Sequence, residues 1–131
     1  MRIRQVSVFL ENRQGQVFPV LERLAAEGIN LRAVALAESE RFGILRMIVD
    51  DPDATADIVR DMGITVMIVP VFGVHVPDRP GALAELLALF KGTDVSVRYM
   101  YTENSGGREA QLMLRLQPED EAEAILKAAG Y

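Results

Sequence analysis

The chain repeats itself at a spacing of 66 residues, and the repeat limits the possible fold more than any single residue does. Val8-Phe9-Leu10-Glu11-Asn12-Arg13-Gln14-Gly15 aligns with Val74-His75-Val76-Pro77-Asp78-Arg79-Pro80-Gly81. Each run is a short apolar stretch, a polar turn ending in glycine, and then an amphipathic helix pattern. The match continues through Ile29-Asn30-Leu31 against Val95-Ser96-Val97. After a one-residue insertion it resumes as Ile58-Val59 and Gly63 against Ile125-Leu126 and Gly130. Two copies of one supersecondary unit are therefore expected, divided at 1–69 and 70–131.

Periodicity gives the content of each copy. Ile3 to Leu10 alternates as a strand, with Val6, Val8 and Leu10 on one face. Gln16 to Glu27 places Val17, Val20, Leu21 and Leu24 on one helical stripe, with Pro19 in the first turn and Gly28 past the end. Asn30 to Glu38 and Phe42 to Asp50 read as a hairpin turning at Ser39-Glu40-Arg41. Asp51-Pro52 then forms an N-cap and first helical residue. The helix that follows buries Thr55, Ile58, Val59 and Met62 and stops at Gly63. Ile64 to Val69 closes the unit as a fourth strand. The order β-α-β-β-α-β is the split-βαβ or ferredoxin-like arrangement, an α+β class.

The second copy follows almost without a linker. Val71 to Val76 is its first strand, and Ala82 to Lys91 its first helix, buried through Leu83, Leu86, Leu87 and Phe90. Val95 to Thr102 and Glu109 to Gln117 form its hairpin, turning at Asn104-Ser105-Gly106-Gly107. The last helix, from Pro118, is buried through Ala122, Ile125, Leu126 and Ala129. Tyr131 aligns with Ile64, so the second unit lacks its last strand. That absence bares the Val71–Val76 edge, which another chain or the other unit should cover, unless the native chain continues.

Composition narrows the function. Half the residues are apolar and a quarter charged, which suits a globular protein with a real core. Units of this size are marginal alone, so they are expected to pack together and to form a homodimer. A formal charge of −5 argues against nucleic-acid or anionic-membrane partners. There is no cysteine, so disulfides, thiolate metal sites and Cys nucleophiles are excluded. A signal-peptide apolar region and a membrane-length apolar run are both missing, and a cytoplasmic protein is the default expectation.

The glycine corners carry the chemistry that remains. Free N–H groups at a helix start favour a carboxylate, and glycine removes the Cβ that would hold a ligand off the backbone. The Asn12 or Asp78 side chain offers an acceptor suited to an ammonium group. An anion cradle beside an acceptor is what an α-amino acid needs. The same corner also reads as a plain helix start with a tight turn and a cap. Arg13 and Arg79 hold matching loop positions within reach of a carboxylate, and both also read as solvated turn residues. His75 is the lone histidine and gives no catalytic triad or metal set. Tyr99 and Tyr101 share one face of a strand and read as core or dimer contacts. Asp50, Asp51, Asp53 and Asp57 read as a cap and first-turn acids rather than metal ligands.

Residues 8–38 carry a resemblance. Phe-Leu-Glu-Asn-x-x-Gly, an amphipathic helix and Glu-Gly-Ile-Asn-Leu together resemble the ACT domain, and Asp78-Arg79-Pro80-Gly81 resembles that family's Asp-Arg-Pro-Gly signature. The first unit is also similar to the regulatory subunit of acetohydroxyacid synthase, and the whole layout to small free-standing tandem-ACT proteins. The resemblance implies an amino-acid-binding, allosteric regulatory protein without catalytic residues, cofactor or metal. It implies a ligand lying between the first strand–helix loop of one module and a strand of a neighbour. The candidate ligand-binding residues are Asn12, Arg13, Gln14, Gly15 and Asn30 in the first unit, with Gln14 in place of the loop proline. In the second they are Asp78, Arg79, Pro80, Gly81 and Ser96. A partner enzyme, such as one of the acetohydroxyacid synthase type on which the chain docks as a regulatory subunit, is the alternative reading. Acylphosphatase and RNA-recognition readings of the same topology fail for want of a phosphate cradle, strand aromatics and a basic surface.

Overall fold

The structure, a computed structural model, describes residues 1–11, 15–38, 42–103 and 109–131. Both expected hairpin turns, Ser39–Arg41 and Asn104–Gly107, lie outside the described residues, as do Asn12, Arg13 and Gln14. The elements are β1 (Arg2–Glu11), α1 (Val17–Ala26), β2 (Leu31–Glu38), β3 (Phe42–Val49), α2 (Pro52–Asp61), β4 (Thr65–Pro77), α3 (Ala82–Ala88), β5 (Ser96–Glu103), β6 (Glu109–Gln117) and α4 (Glu119–Ala128). The chain forms two compact units, one of residues 4–69 and the other of residues 1–3 with 70–131. The fold is α+β and doubly ferredoxin-like, with no strand after α4 among the described residues.

In the first unit β3 lies between β2 and β1, antiparallel to both. Alternation along β1 sends Val6, Val8 and Leu10 into a core with Leu45, Met47 and Val49 of β3. Val20 and Leu24 of α1 and Ala56 and Val59 of α2 close that core. Asp51 caps α2, accepting from the Ala54 N–H at 3.1 Å, with Pro52 in the first turn. Gly28, at φ +77°, ends α1, and the next residue, Ile29, donates back to Leu24 at 2.9 Å.

In the second unit β6 lies between β4 and β5, again antiparallel. Phe72, Val74 and Val76 of β4 meet Leu112, Leu114 and Leu116 of β6 under Leu86, Phe90, Ala122 and Leu126. Three details differ from the periodicity. The two strands expected on either side of Pro70 are one strand, β4. Pro70 sits two residues ahead of the first β4–β6 pair, Phe72–Leu114, so its missing N–H takes nothing from that ladder. The helix α3 is α-helical only to Ala88, and its Leu83 is exposed rather than buried. In α4 Ala129, expected in the stripe, is exposed past the helix end.

The edge expected to be bare is partly covered by the chain's own first residues. The Gly73 N–H donates to the Met1 carbonyl at 2.7 Å. No helix among the described residues is long and apolar enough to cross a membrane.

Candidate functional site

The first-unit corner begins where β1 ends at Glu11 and resumes at Gly15, which has φ +81° and is exposed. A Cβ there would meet nothing within 4 Å, so the positive φ rather than crowding calls for glycine. Gln16 holds the cap position of α1 without making a side-chain cap hydrogen bond, and the first turn carries no acid. Among the described residues no capping side chain neutralises the positive end of α1, which suits it to a carboxylate.

Two clefts flank this corner. The larger, about 560 Å³, is lined by Phe9, Glu11, Gln16, Phe42, Ile64 and Thr65, among others. The smaller, about 190 Å³, runs between Glu11, Gln16 and Val17 on one side and Leu36, Ala37 and Glu38 on the other. Register explains the convergence. Leu10 of β1 and Glu38 of β2 both pair with Gly43 of β3, so the C-terminal ends of β1 and β2 arrive together. Glu11, Gln16, Leu36, Glu38 and Phe42 were not among the residues expected here. Only the hairpin register would have revealed them, and a sequence does not print its register.

Asn30 is not beside Gly15. It is exposed, just ahead of β2, at the far end of the ten-residue helix α1, which spans roughly 15 Å. Within one unit the structure does not bring these two expected residues together.

In the second unit Asp78, Arg79, Pro80 and Gly81 form an exposed turn into α3. The Arg79 N–H donates to Pro77 at 3.0 Å, and Gly81, at φ +88°, accepts from the Glu85 N–H at 2.9 Å. Here too a Cβ would enter open space. The Arg79 guanidinium makes a two-pronged contact with Glu85, at 3.0 and 2.7 Å. That hydrogen-bonded charge holds the Glu85 carboxyl below its ordinary range and raises Arg79. Both side chains are about half exposed, so the pair is weak in water. Ser96 opens β5 opposite Gln117, at the other end of α3 from Gly81, and is exposed.

His75 lies on β4 with its ring 59% exposed and Nδ1 3.9 Å from Glu109. Tyr99 and Tyr101 are half-buried on one face of β5, paired with Arg115 and Met113. The aspartates of the first unit face arginines. Arg4 grips Asp53 at 2.9 and 2.7 Å, which lowers the Asp53 carboxyl, and Arg60 reaches Asp57 at 3.3 Å. Among the described residues no three His, Cys, Asp or Glu side chains come together as a metal site.

The architecture is thus a pair of ferredoxin-like units, each with a glycine corner between its first strand and first helix. The chain belongs to the ACT domain pair family, whose pattern matches residues 1–129. Among solved structures it is similar to protein BT0572 from Bacteroides thetaiotaomicron, with 39% identity and a TM-score of 0.90, over 98% of this chain and 89% of that one. It is also similar to the ligand-free regulatory subunit of aspartate kinase from Thermus thermophilus, with 16% identity and a TM-score of 0.68, over 96% of this chain and 89% of that one. The corresponding subunit from Thermus flavus gives 15% identity and a TM-score of 0.66, over 98% and 92%. At those identities the aspartate kinase likeness shows the fold alone. None of the curated proteins matches the chain. The narrower likeness of the first unit to the acetohydroxyacid synthase subunit gains no support from these matches.

Proposed function

We propose that the protein is a non-catalytic regulatory homodimer that binds an α-amino acid at the Gly15 corner and reports its presence to a partner enzyme. The observation that carries this is the start of α1 after Gly15, where Gln16 makes no side-chain cap hydrogen bond, flanked by two clefts that share Glu11 and Gln16. The helix start suits the ligand carboxylate, and acceptors beside it suit the ammonium group. Asn12, Arg13 and Gln14 would complete the loop.

A second copy supplies what one unit keeps apart. The edge strand β2 is apolar, with Val34 51% and Leu36 59% exposed, and Phe18 of α1 is 66% exposed. An antiparallel pairing of β2 with its own copy, centred on Ala35, sets Val34 against Leu36 and Arg32 against Glu38. The same pairing carries Asn30 of the second copy to the Glu38 end of β2, beside the smaller cleft. Asp78, Arg79, Pro80, Gly81 and Ser96 would form the repeat's second site, with Arg79 released from Glu85 by a competing carboxylate. The enzyme class regulated follows from none of these residues. The membership of the ACT domain pair family supports the regulatory part of this reading.

A thermal-shift screen against the twenty amino acids tests the reading. A ligand at 100 times its Kd adds about 2.7 kcal/mol, several degrees for a chain of this size. The expected result is one selective amino acid whose shift is lost in Asn12→Ala and in Asn30→Ala. No shift with any amino acid would overturn it.

A further inference from the structure

The two clefts at the Gly15 corner differ in charge, and strand register is the reason. Glu11 pairs with Phe42 and Glu38 with Gly43, so two residues bearing carboxylates arrive side by side at the ends of β1 and β2. Both line the smaller cleft, together with Val17 and Leu36. In the larger cleft, of about 560 Å³, Glu11 is the one charged residue among the described lining. No lysine or arginine lines either cleft among the described residues.

The larger cleft has an apolar wall of Phe9, Leu10, Phe42 and Ile64. Leu10 is buried in the core of the unit and Ile64 packs against that core. The two phenylalanines stand differently. Val8 and Leu10 of β1 turn to the core, so alternation sends Phe9 to the opposite face with Glu11. Phe42 is the cross-strand partner of Glu11 and shares that face. It lies diagonally from Phe9, a separation that aromatic side chains span. Phe9 is half-buried and Phe42 is 52% exposed, and neither ring belongs to the core described for this unit. Single exposed apolar residues are ordinary, but two aromatic rings lining one cleft beside a few polar groups is the composition of a small-molecule pocket.

That wall discriminates by chemistry. A charged ligand side chain held against Phe9, Phe42 and Ile64 would lose its hydration and find no cation among the described lining. An acidic one would also meet Glu11, and a basic one would compete with the ligand's own ammonium group for it. Gln16 and Thr65, the uncharged polar residues of the lining, can serve a ligand's backbone groups without matching a charged side chain.

With the Gly15 corner taken as the amino-acid site, on which this rests, we infer that the larger cleft is its side-chain pocket and selects a bulky apolar amino acid. Phe42 is the residue that sets the preference. The ammonium group lies toward Glu11 and Glu38, and the side chain lies against Phe9, Phe42 and Ile64. An aromatic ligand would add offset or edge-to-face contacts with the two rings. A ligand as small as alanine leaves most of that wall in water.

The test is calorimetric titration of the full chain with each of the twenty amino acids. The tightest ligand is expected to be aromatic or large and aliphatic, bound about tenfold or more tightly than alanine, lysine or aspartate. Phe42→Ala should weaken phenylalanine and leucine about tenfold and alanine far less, so that the selectivity collapses. Loss of fold would not produce that split, and Phe42 opens β3 outside the core, so far-UV dichroism should hold. If the variant folds poorly, nuclear Overhauser contacts between the ring protons of bound phenylalanine and those of Phe9 and Phe42 in the unaltered protein provide a second arm. A small, polar or charged amino acid bound most tightly, selectivity untouched by Phe42→Ala, or absence of those ring contacts would overturn the inference and leave the regulatory reading standing. Binding of none of the twenty would overturn both.

Discussion

At the scale of single residues, glycine does two different jobs in this chain. Gly15 and Gly81 are required by positive φ and have open space beside them. Gly73 has no unusual φ and is instead pressed by Ile3 and by Gln111 Nε2 at 3.1 Å. Gly73→Ala is therefore expected to cost about 1–3 kcal/mol through overpacking. The same change in an Ile3→Ala background should cost much less, because the crowded atoms are gone. Urea denaturation of the four proteins in that cycle reads the coupling directly. A full cost that survives Ile3→Ala would mean that residues 1–3 do not sit against β4. Both corner glycines were legible in the sequence, because glycine between a strand and a helix has a short list of causes. The role of Gly73 was not, since a close neighbour from about 70 residues away leaves no local mark.

At the scale of elements, the 3.6-residue stripe placed all four helices. Val20 and Leu24, Thr55 and Val59, Leu86 and Phe90, and Ala122 and Leu126 are all buried. The stripe failed at Leu83, which fits the period yet is 36% exposed. The helix α3 is only seven residues long, and its start lies in an exposed turn before the core is reached. Leu86→Ala should cost about 2–5 kcal/mol and Leu83→Ala less than about 1 kcal/mol, measured as chemical denaturation midpoints at constant slope. Equal costs would contradict the burial described. The reading of β4 as two strands came from treating Pro70 as a breaker. Its alternation held a counter-signal, since Val66, Phe72, Val74 and Val76 are all buried at even positions across the proline. The site was less legible than the fold. The corner itself could be read, but Leu36, Glu38 and Phe42 reach it through the pairing register of β2 and β3, which short apolar runs leave open.

At the scale of the whole molecule, the exposed apolar edge of β2 is the feature that most needs a partner. Soluble sheets usually guard such an edge with lysine, proline or a bulge. Here the guard is confined to one end, where the pairing shifts between Leu31 and Ala33. Leu36→Lys places a charge on the edge without touching the core. It is expected to halve the mass seen by light scattering and to remove the amino-acid thermal shift, with little change in far-UV dichroism. A variant that keeps the mass of the unaltered protein would count against the proposed β2–β2 contact.

The seat of residues 1–3 also bears on the order in which the protein is made. They leave the ribosome about 70 residues before the stretch of β4 they pair with, and well over 100 before the α4 carboxylates that hold Arg2. During synthesis residues 1–3 must wait for β4 before they pair, and Arg2 must wait longer still for α4. A contact of that sequence separation is slow to close and arrives late. Residues 1–3 are therefore fully clasped to the second unit only once α4 has been made.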